Sequence, residues 1–273
     1  MSGSPDSGRL RAWAAAVASW TEGEPGPLPE ALRPAAFGLR RPGGAAAQLP
    51  FGAEAAERLR QGASLAPYLD HTLLRPDALP EEVWRHGAEA RTHGLGGACV
   101  HPSRVRTLVE ALGGAPVVPV AVVGFPSGAH LPEVKALEAR LAIADGAREV
   151  DAVAALSALR AGDVQGALLD AEAVVEAARP WPVKLILETG LLDRRAVVLG
   201  AGVALLSGCA AVKTSTGTGP PGARVEDVTL LRGVVGTELG VKASGGIRTR
   251  DAALRLVAAG ASRLGTSASL ALL

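Results

Sequence analysis

The chain has 273 residues, enough for one large domain with its own hydrophobic core. Apolar residues make up 48% and aromatics only 3%, so the core must be assembled from Ala, Val and Leu, which suits strands buried on both faces. A formal net charge of +1 excludes a global field for nucleic acid or an anionic membrane, and two cysteines, Cys99 and Cys209, exclude a disulfide framework or a thiolate metal cage.

Residues 1–50 are rich in Gly, Pro and Ala. Four prolines fall between Gly23 and Pro34, and Arg40 to Ala47 reads as a loop. Arg9 and Arg11 precede the apolar run Ala12 to Trp20, the pattern of a leader peptide. Asp6, Trp13, Trp20, Glu22 and Glu24 instead favour a short amphipathic helix near residues 8–20. The remainder of 1–50 is expected to be a mobile extension that buries little apolar surface and carries no site motif. It precedes a single folded domain at 51–273. No stretch of about 20 apolar residues occurs, so no membrane span and a cytoplasmic location are expected.

From residue 53 onward, β-like runs alternate with helical patterns. The runs are Ala66–Asp70, Gly97–Val100, Val117–Gly124, Glu149–Val153, Val183–Glu188, Ala210–Lys213, Gly240–Ala243 and Arg263–Gly265. Between them lie helical patterns over Pro80–Thr92, Ser103–Leu112, Leu131–Asp145, Val164–Ala178, Asp193–Leu206, Val225–Val235 and Arg250–Ala259. Such alternation implies parallel strands with crossover helices, and eight repeats predict an α/β fold closed as a (β/α)₈ TIM barrel. At or near their ends the runs carry Asp70, Cys99, Gly124, Asp151, Glu188, Lys213, Lys242 and Gly265. In a parallel barrel these positions converge on the rim where active sites of this fold lie.

Two lysines carry the chemistry. Lys213 stands between Cys-Ala-Ala-Val and Thr-Ser-Thr-Gly, and Lys242 between Gly-Val and Ala-Ser-Gly-Gly, on consecutive strands. Burial and a neighbouring ammonium both penalise a charged amine. Lowering a lysine pKa from ~10.4 to about 7 would leave half of it nucleophilic, at a cost of about 4 kcal/mol. Imine chemistry at a carbonyl needs such an amine. The competing reading is two structural lysines paired with Asp151 and Glu188.

Small-residue turns follow both lysines, and Gly265-Thr-Ser267 closes the last strand. Backbone N–H groups there suit a phosphate, with Arg248 as a source of charge. Asp70 and Asp151 end apolar runs and suit either proton relay or ion pairing. Glu188 reads as a supporting acid, and Cys99 as core. The histidines His71, His86, His93, His101 and His130 form no HxxxH pair, so no metal is expected.

The segments Tyr68–Leu74 (Tyr-Leu-Asp-His-Thr-Leu-Leu), Ala98–Pro102, Val122–Gly128, Glu149–Asp151, Val183–Thr189, Val212–Gly217, Val241–Arg248 and Arg263–Ser267 resemble the deoxyribose-phosphate aldolases, in family order. The pair Lys-Thr-Ser-Thr-Gly and Lys-Ala-Ser-Gly-Gly-Ile-Arg is the specific part. The resemblance implies reversible cleavage of 2-deoxy-D-ribose 5-phosphate to acetaldehyde and D-glyceraldehyde 3-phosphate, without metal or organic cofactor. It implies that Lys213 forms the imine, Lys242 depresses its pKa, Asp151 moves protons through water, and Asp70 belongs to the polar network. Gly217, Gly246, Gly265 and Ser267 would hold the phosphate, with Thr216 and Cys99 in the same substrate site.

The expected partner is thus a phosphorylated sugar, with no nucleic acid and no membrane, in a chain that forms a homodimer or a higher homo-oligomer. A lysine-dependent aldolase for another phosphorylated sugar and a non-catalytic sugar-phosphate-binding barrel are the alternatives. The chain departs from the family in three places. Ala-Val-Ala-Ala-Leu follows the Asp151 region where a polar residue is usual, Tyr68 is the sole tyrosine so no C-terminal tyrosine assists proton transfer, and residues 1–50 match nothing in the family core.

Overall fold

Eight short parallel strands pair in chain order and close on themselves as a barrel. They are β1 (Leu69–Leu73), β2 (Gly97–Val100), β3 (Val118–Val123), β4 (Glu149–Val153), β5 (Val183–Ile186), β6 (Ala211–Lys213), β7 (Gly240–Ser244) and β8 (Arg263–Thr266). The computed structural model describes residues 6–21, 28–39, 41–42, 45–219 and 221–273. Its helices are α1 (Asp6–Thr21), α2 (Ala53–Arg60), α3 (Pro80–Thr92), α4 (Val105–Leu112), α5 (Pro132–Ala144), α6 (Leu156–Ala161), α7 (Val164–Ala178), α8 (Arg194–Leu206), α9 (Val225–Val235) and α10 (Arg250–Ala258). This is the (β/α)₈ TIM barrel that the alternation predicts. None of these helices is long and apolar enough to cross a membrane, among the described residues.

The Val- and Ala-rich strands are buried on both faces because helices cover the outside and side chains fill the inside. Asp193, Thr249 and Asp163 accept the first free N–H groups of α8, α10 and α7, which fixes where each helix starts. β1 begins at Leu69 and not at Ala66, because Ala66–Tyr68 form a 3₁₀ turn with Pro67 in its first positions. The helices α2 and α6 are additions to the expected set. α6 has six residues and no side-chain cap, which leaves little periodicity to read. After β8 the chain forms only a 3₁₀ turn, Ser269–Leu272.

The N-terminal region corrects its expectation. Part of the Gly23–Pro34 segment, and Arg40, Gly43 and Gly44 of the expected loop, lie outside the described residues. The described part packs on the barrel. Leu10, Trp13, Val17, Leu28 and Leu39 are buried in the main core. α1 lies across α7 and α8. The Trp13 ring occupies a hole left by Gly202 of α8, where a Cβ would stand 2.1 Å from Trp13 Cη2. Its Nε1 donates to Leu32 O at 2.8 Å. One aromatic against a glycine provides the burial that the composition of this region argues against.

Register places the polar residues. Lys213 pairs with Lys242, Asp151 with Lys184, and Asp70 with Gly265 across neighbouring strands. Paired residues of a parallel sheet share a face, here the barrel interior.

Trp13→Ala should cost about 3–5 kcal/mol in a urea unfolding curve, the range for emptying a buried aromatic site. Turnover per folded molecule should not change, because α1 covers the outside of the barrel. An unchanged midpoint would show that the region adds nothing to the core.

Candidate active site

The barrel floor is ionic. Asp151 on β4 is fully buried and takes three ammonium groups. Lys213 Nζ donates to its Oδ2 at 2.9 Å and Lys242 Nζ to the same oxygen at 2.7 Å. Lys184 Nζ donates to its Oδ1 at 3.1 Å. Lys242 also bonds Asp70 Oδ2, and Lys184 also bonds Glu149. Arg263 closes the array, 3.4 Å from Asp70 and 3.5 Å from Glu149. Four cations therefore meet three carboxylates, largely out of contact with bulk water. Removing any one carboxylate would strand buried positive charge.

These neighbours set the titration. Burial pushes Asp151 up, but Lys184, Lys213 and Lys242 outweigh it and hold the carboxyl well below the usual range. Asp70 feels the same contest, burial against Lys242 and Arg263, and ends at about 2. Burial pulls Lys242 down, while Asp151 and Asp70 lift it above the ordinary lysine value. Lys184 is likewise raised by Asp151 and Glu149 against burial.

Above the floor lies a cavity of about 460 Å³. The loops after β1, β6, β7 and β8 line it. Lys213, Thr216, Gly217, Gly246, Gly265 and Ser267 are in its wall. Asp70, Asp151 and Lys242 lie beneath it, fully buried. Lys213 is the one cation of the floor array that reaches the cavity, among the described residues. Thr72, Arg75, Thr218 and Arg248 are also in the wall.

Two assignments change. Cys99 does not line the cavity; it is fully buried with Val120 and Val122 inside the barrel. Burial and Asp151 push its thiol up to about 11, so it stays protonated near neutrality. Thr216 reaches the wall, but its N–H donates to Glu188 Oε2 at 3.0 Å and its hydroxyl bonds the same oxygen. Neither group is available to an anion. Gly265 answers a packing need as well: a Cβ there would lie 3.0 Å from Lys242 Cε.

The expected ion pairing is half met, since Asp151 pairs with both lysines and Glu188 bonds Thr216. Tyr68 donates its hydroxyl to Pro50 O at 2.8 Å, on a residue that precedes β1. Sequence reasoning misses Glu149, Lys184 and Arg263 as members of the floor. A signal exists for one of them: Glu149 and Asp151 are two apart on one strand, so both face inward.

Asp70 predicts an acid limb of stability. Its folded pKa of about 2 lies below the unfolded value of about 3.9, so its contribution is intact above about pH 5 and lost as pH falls through about 2. Asp70→Asn should be less stable at neutrality and should flatten the urea-midpoint curve between about pH 5 and 2. Parallel curves for the two proteins would contradict the ion pair.

The comparisons with known proteins agree with this geometry. A family model described as DeoC/LacD family aldolase matches residues 67–268. Deoxyribose-phosphate aldolase from Thermus thermophilus is 48% identical over 208 residues, 76% of this chain and 94% of the relative. That of Streptococcus gordonii is 44% identical over 209 residues, 77% of this chain and 95% of the relative. The tetrameric deoxyribose phosphate aldolase of Aeropyrum pernix superposes with a TM-score of 0.70 at 35% identity, over 76% of this chain and 88% of that one. A Coccidioides immitis protein proposed to be a deoxyribose-phosphate aldolase superposes with a TM-score of 0.78 at 31% identity, over 96% of this chain and 95% of that one. That span reaches into the N-terminal region, for which the sequence predicts no counterpart. The chain belongs to the DeoC/LacD family of aldolases.

Proposed function

We propose that the chain is a class I aldolase that reversibly cleaves 2-deoxy-D-ribose 5-phosphate to acetaldehyde and D-glyceraldehyde 3-phosphate. The observation that carries the chemistry is depth. Lys213 opens on the cavity, whereas Lys242 lies under it between two carboxylates.

Charge balance supports the same assignment. With every group ionised the floor holds one positive charge in excess. Lys242, Lys184 and Arg263 each contact two carboxylates, and Lys213 contacts one. Lys213 is thus the cation of the array with the fewest carboxylate partners.

The free amine adds to C1 of the open-chain aldehyde, and loss of water gives the imine. A proton leaves the C3 hydroxyl and the C2–C3 bond breaks. Its electron pair passes into the protonated imine, which becomes an enamine, and D-glyceraldehyde 3-phosphate departs. Protonation at C2 and addition of water release acetaldehyde and regenerate Lys213. Asp151, 2.9 Å from Lys213 Nζ, is the base that moves these protons through a water. Tyr68 is committed to Pro50, so the C2 proton comes from that water.

The phosphate lies against Gly217, Gly246 and Ser267, small residues that line the cavity together with Arg248 and suit an anion. The A. pernix tetramer supports a homo-oligomeric assembly for this chain as well.

Borohydride with acetaldehyde should leave a reduced ethyl adduct on the peptide that contains Lys213. Lys213→Ala should lose the adduct and several orders of magnitude of turnover. An adduct on Lys242, Lys184 or Lys135 in peptide mass mapping would overturn the role assignment.

Gly246→Val should raise KM for deoxyribose 5-phosphate far more than for 2-deoxyribose. Gly246 has a positive φ of 73°, and a Cβ there meets nothing within 4 Å, so the added side chain projects into free space at the cavity wall. Equal effects on the two sugars would remove the phosphate from this loop.

A further inference from the structure

Glu188 stands just past the end of β5 with φ 47° and ψ 61°. It is the one non-glycine residue with positive φ among the described residues. A long side chain in left-handed backbone is disfavoured and persists only where the surroundings impose it. Here they do. Leu187 N–H donates to Lys213 O at 2.9 Å and Thr189 N–H donates to Thr214 O at 2.9 Å, so pairing with the β6 segment continues on both sides of Glu188. Leu191 N–H donates to Glu188 O at 2.8 Å and closes the turn. The left-handed residue aims its carboxylate across the loop that follows Lys213.

That carboxylate is buried, and its Oε2 takes both donors of Thr216. The Thr216 hydroxyl in turn lies 2.8 Å from Thr218 Oγ1 and accepts from Thr218 N–H at 3.2 Å. Gly217 stands between these two threonines, with φ 86°, and both Gly217 and Thr218 line the cavity. Glu188 bonds no side chain of the ionic floor, among the described residues. Its reach is toward one wall of the cavity and not toward the reacting amine.

We infer that Glu188 is a positioning residue for substrate phosphate: through Thr216 its carboxylate sets the shape in which the loop after β6 presents Gly217 and Thr218. This rests on the aldolase reading above, in which the phosphate lies against that loop. The device also explains how a carboxylate is tolerated beside an anion site. Two donors from Thr216 cover the facing oxygen, so the phosphate meets the loop and not the charge.

The test compares deoxyribose 5-phosphate with unphosphorylated 2-deoxyribose by steady-state kinetics. Glu188→Asn accepts left-handed backbone but is too short to reach Thr216. It should raise KM for the phosphorylated sugar by about tenfold, the scale of one charge-assisted hydrogen bond lost, with kcat little changed. Kinetics on 2-deoxyribose should stay near wild type. Glu188→Gln, which keeps the reach and one acceptor oxygen, should recover part of the loss. Should Glu188→Asn fail to fold, Thr216→Val carries the test, since it removes the hydroxyl link within nearly the same volume and should raise KM for the phosphorylated sugar. Equal loss on both sugars, or a fall in thermal midpoint alone, would make Glu188 merely structural and overturn the inference. A phosphate preference kept intact in Glu188→Asn would overturn it while leaving the aldolase reading standing. A wild-type enzyme indifferent to phosphate would remove that reading and this inference with it.

Discussion

Asp151 holds three ammonium groups on one buried carboxylate, and the rest of the barrel interior is arranged around that fact. An isolated charge of this kind could not exist in a core of Val and Ala. It exists because register sets Asp151 beside Lys184, and Lys213 beside Lys242, on the inner face. The sharing is uneven, and function follows from the unevenness. Lys184 and Lys242 each find a second carboxylate, and Lys213 does not. On the proposed reading, the amine with one partner and access to the cavity is the one that bonds the substrate carbon.

The ionic floor also dictates where the strands must be thin. A Cβ on Gly97 of β2 would lie 2.6 Å from Asp70 Oδ1, and one on Gly265 of β8 would lie 3.0 Å from Lys242 Cε. Glycine inside a strand ordinarily weakens it. Here the missing side chains are the space through which a lysine stem and a carboxylate meet. The glycine after Lys213 serves the loops instead. Gly217 and Gly245 approach within van der Waals reach and bring the loops after β6 and β7 together over the cavity.

The barrel is legible in the sequence because its signals are periodic. β2, β4, α3, α7 and α9 lie where the pattern puts them, since each is an apolar run or a helical repeat of apolar residues bounded by residues that end it. The lysine pair is legible because a charge at the end of an apolar strand has few bland explanations. Commitment is not legible. Thr216 belongs to a motif that suggests an anion site, yet both its donors are spent on Glu188, a residue far away in sequence. Cys99 sits near the end of a strand like the others, yet it packs with Val120 and Val122 and stays out of the cavity lining. Spacing tells which face a residue occupies; only the long-range partner tells whether its polar group is free. Trp13 shows the same limit on the outside of the barrel. Its burial depends on Gly202, far along the chain in a helix that offers no sign of the hole.

Depth, then, is the variable that separates two chemically identical lysines. Lys213 and Lys242 are register partners on adjacent strands, both end apolar runs, and both precede turns of small residues. Apart from the family resemblance of their motifs, nothing in their local sequences ranks them. The barrel ranks them by partners and by access to the cavity. Lys213 lines the cavity and has one carboxylate partner. Lys242 is outside the lining and lies between Asp151 and Asp70 from β1. On the proposed reading, that difference makes one amine the reagent and the other a fixed charge beside it.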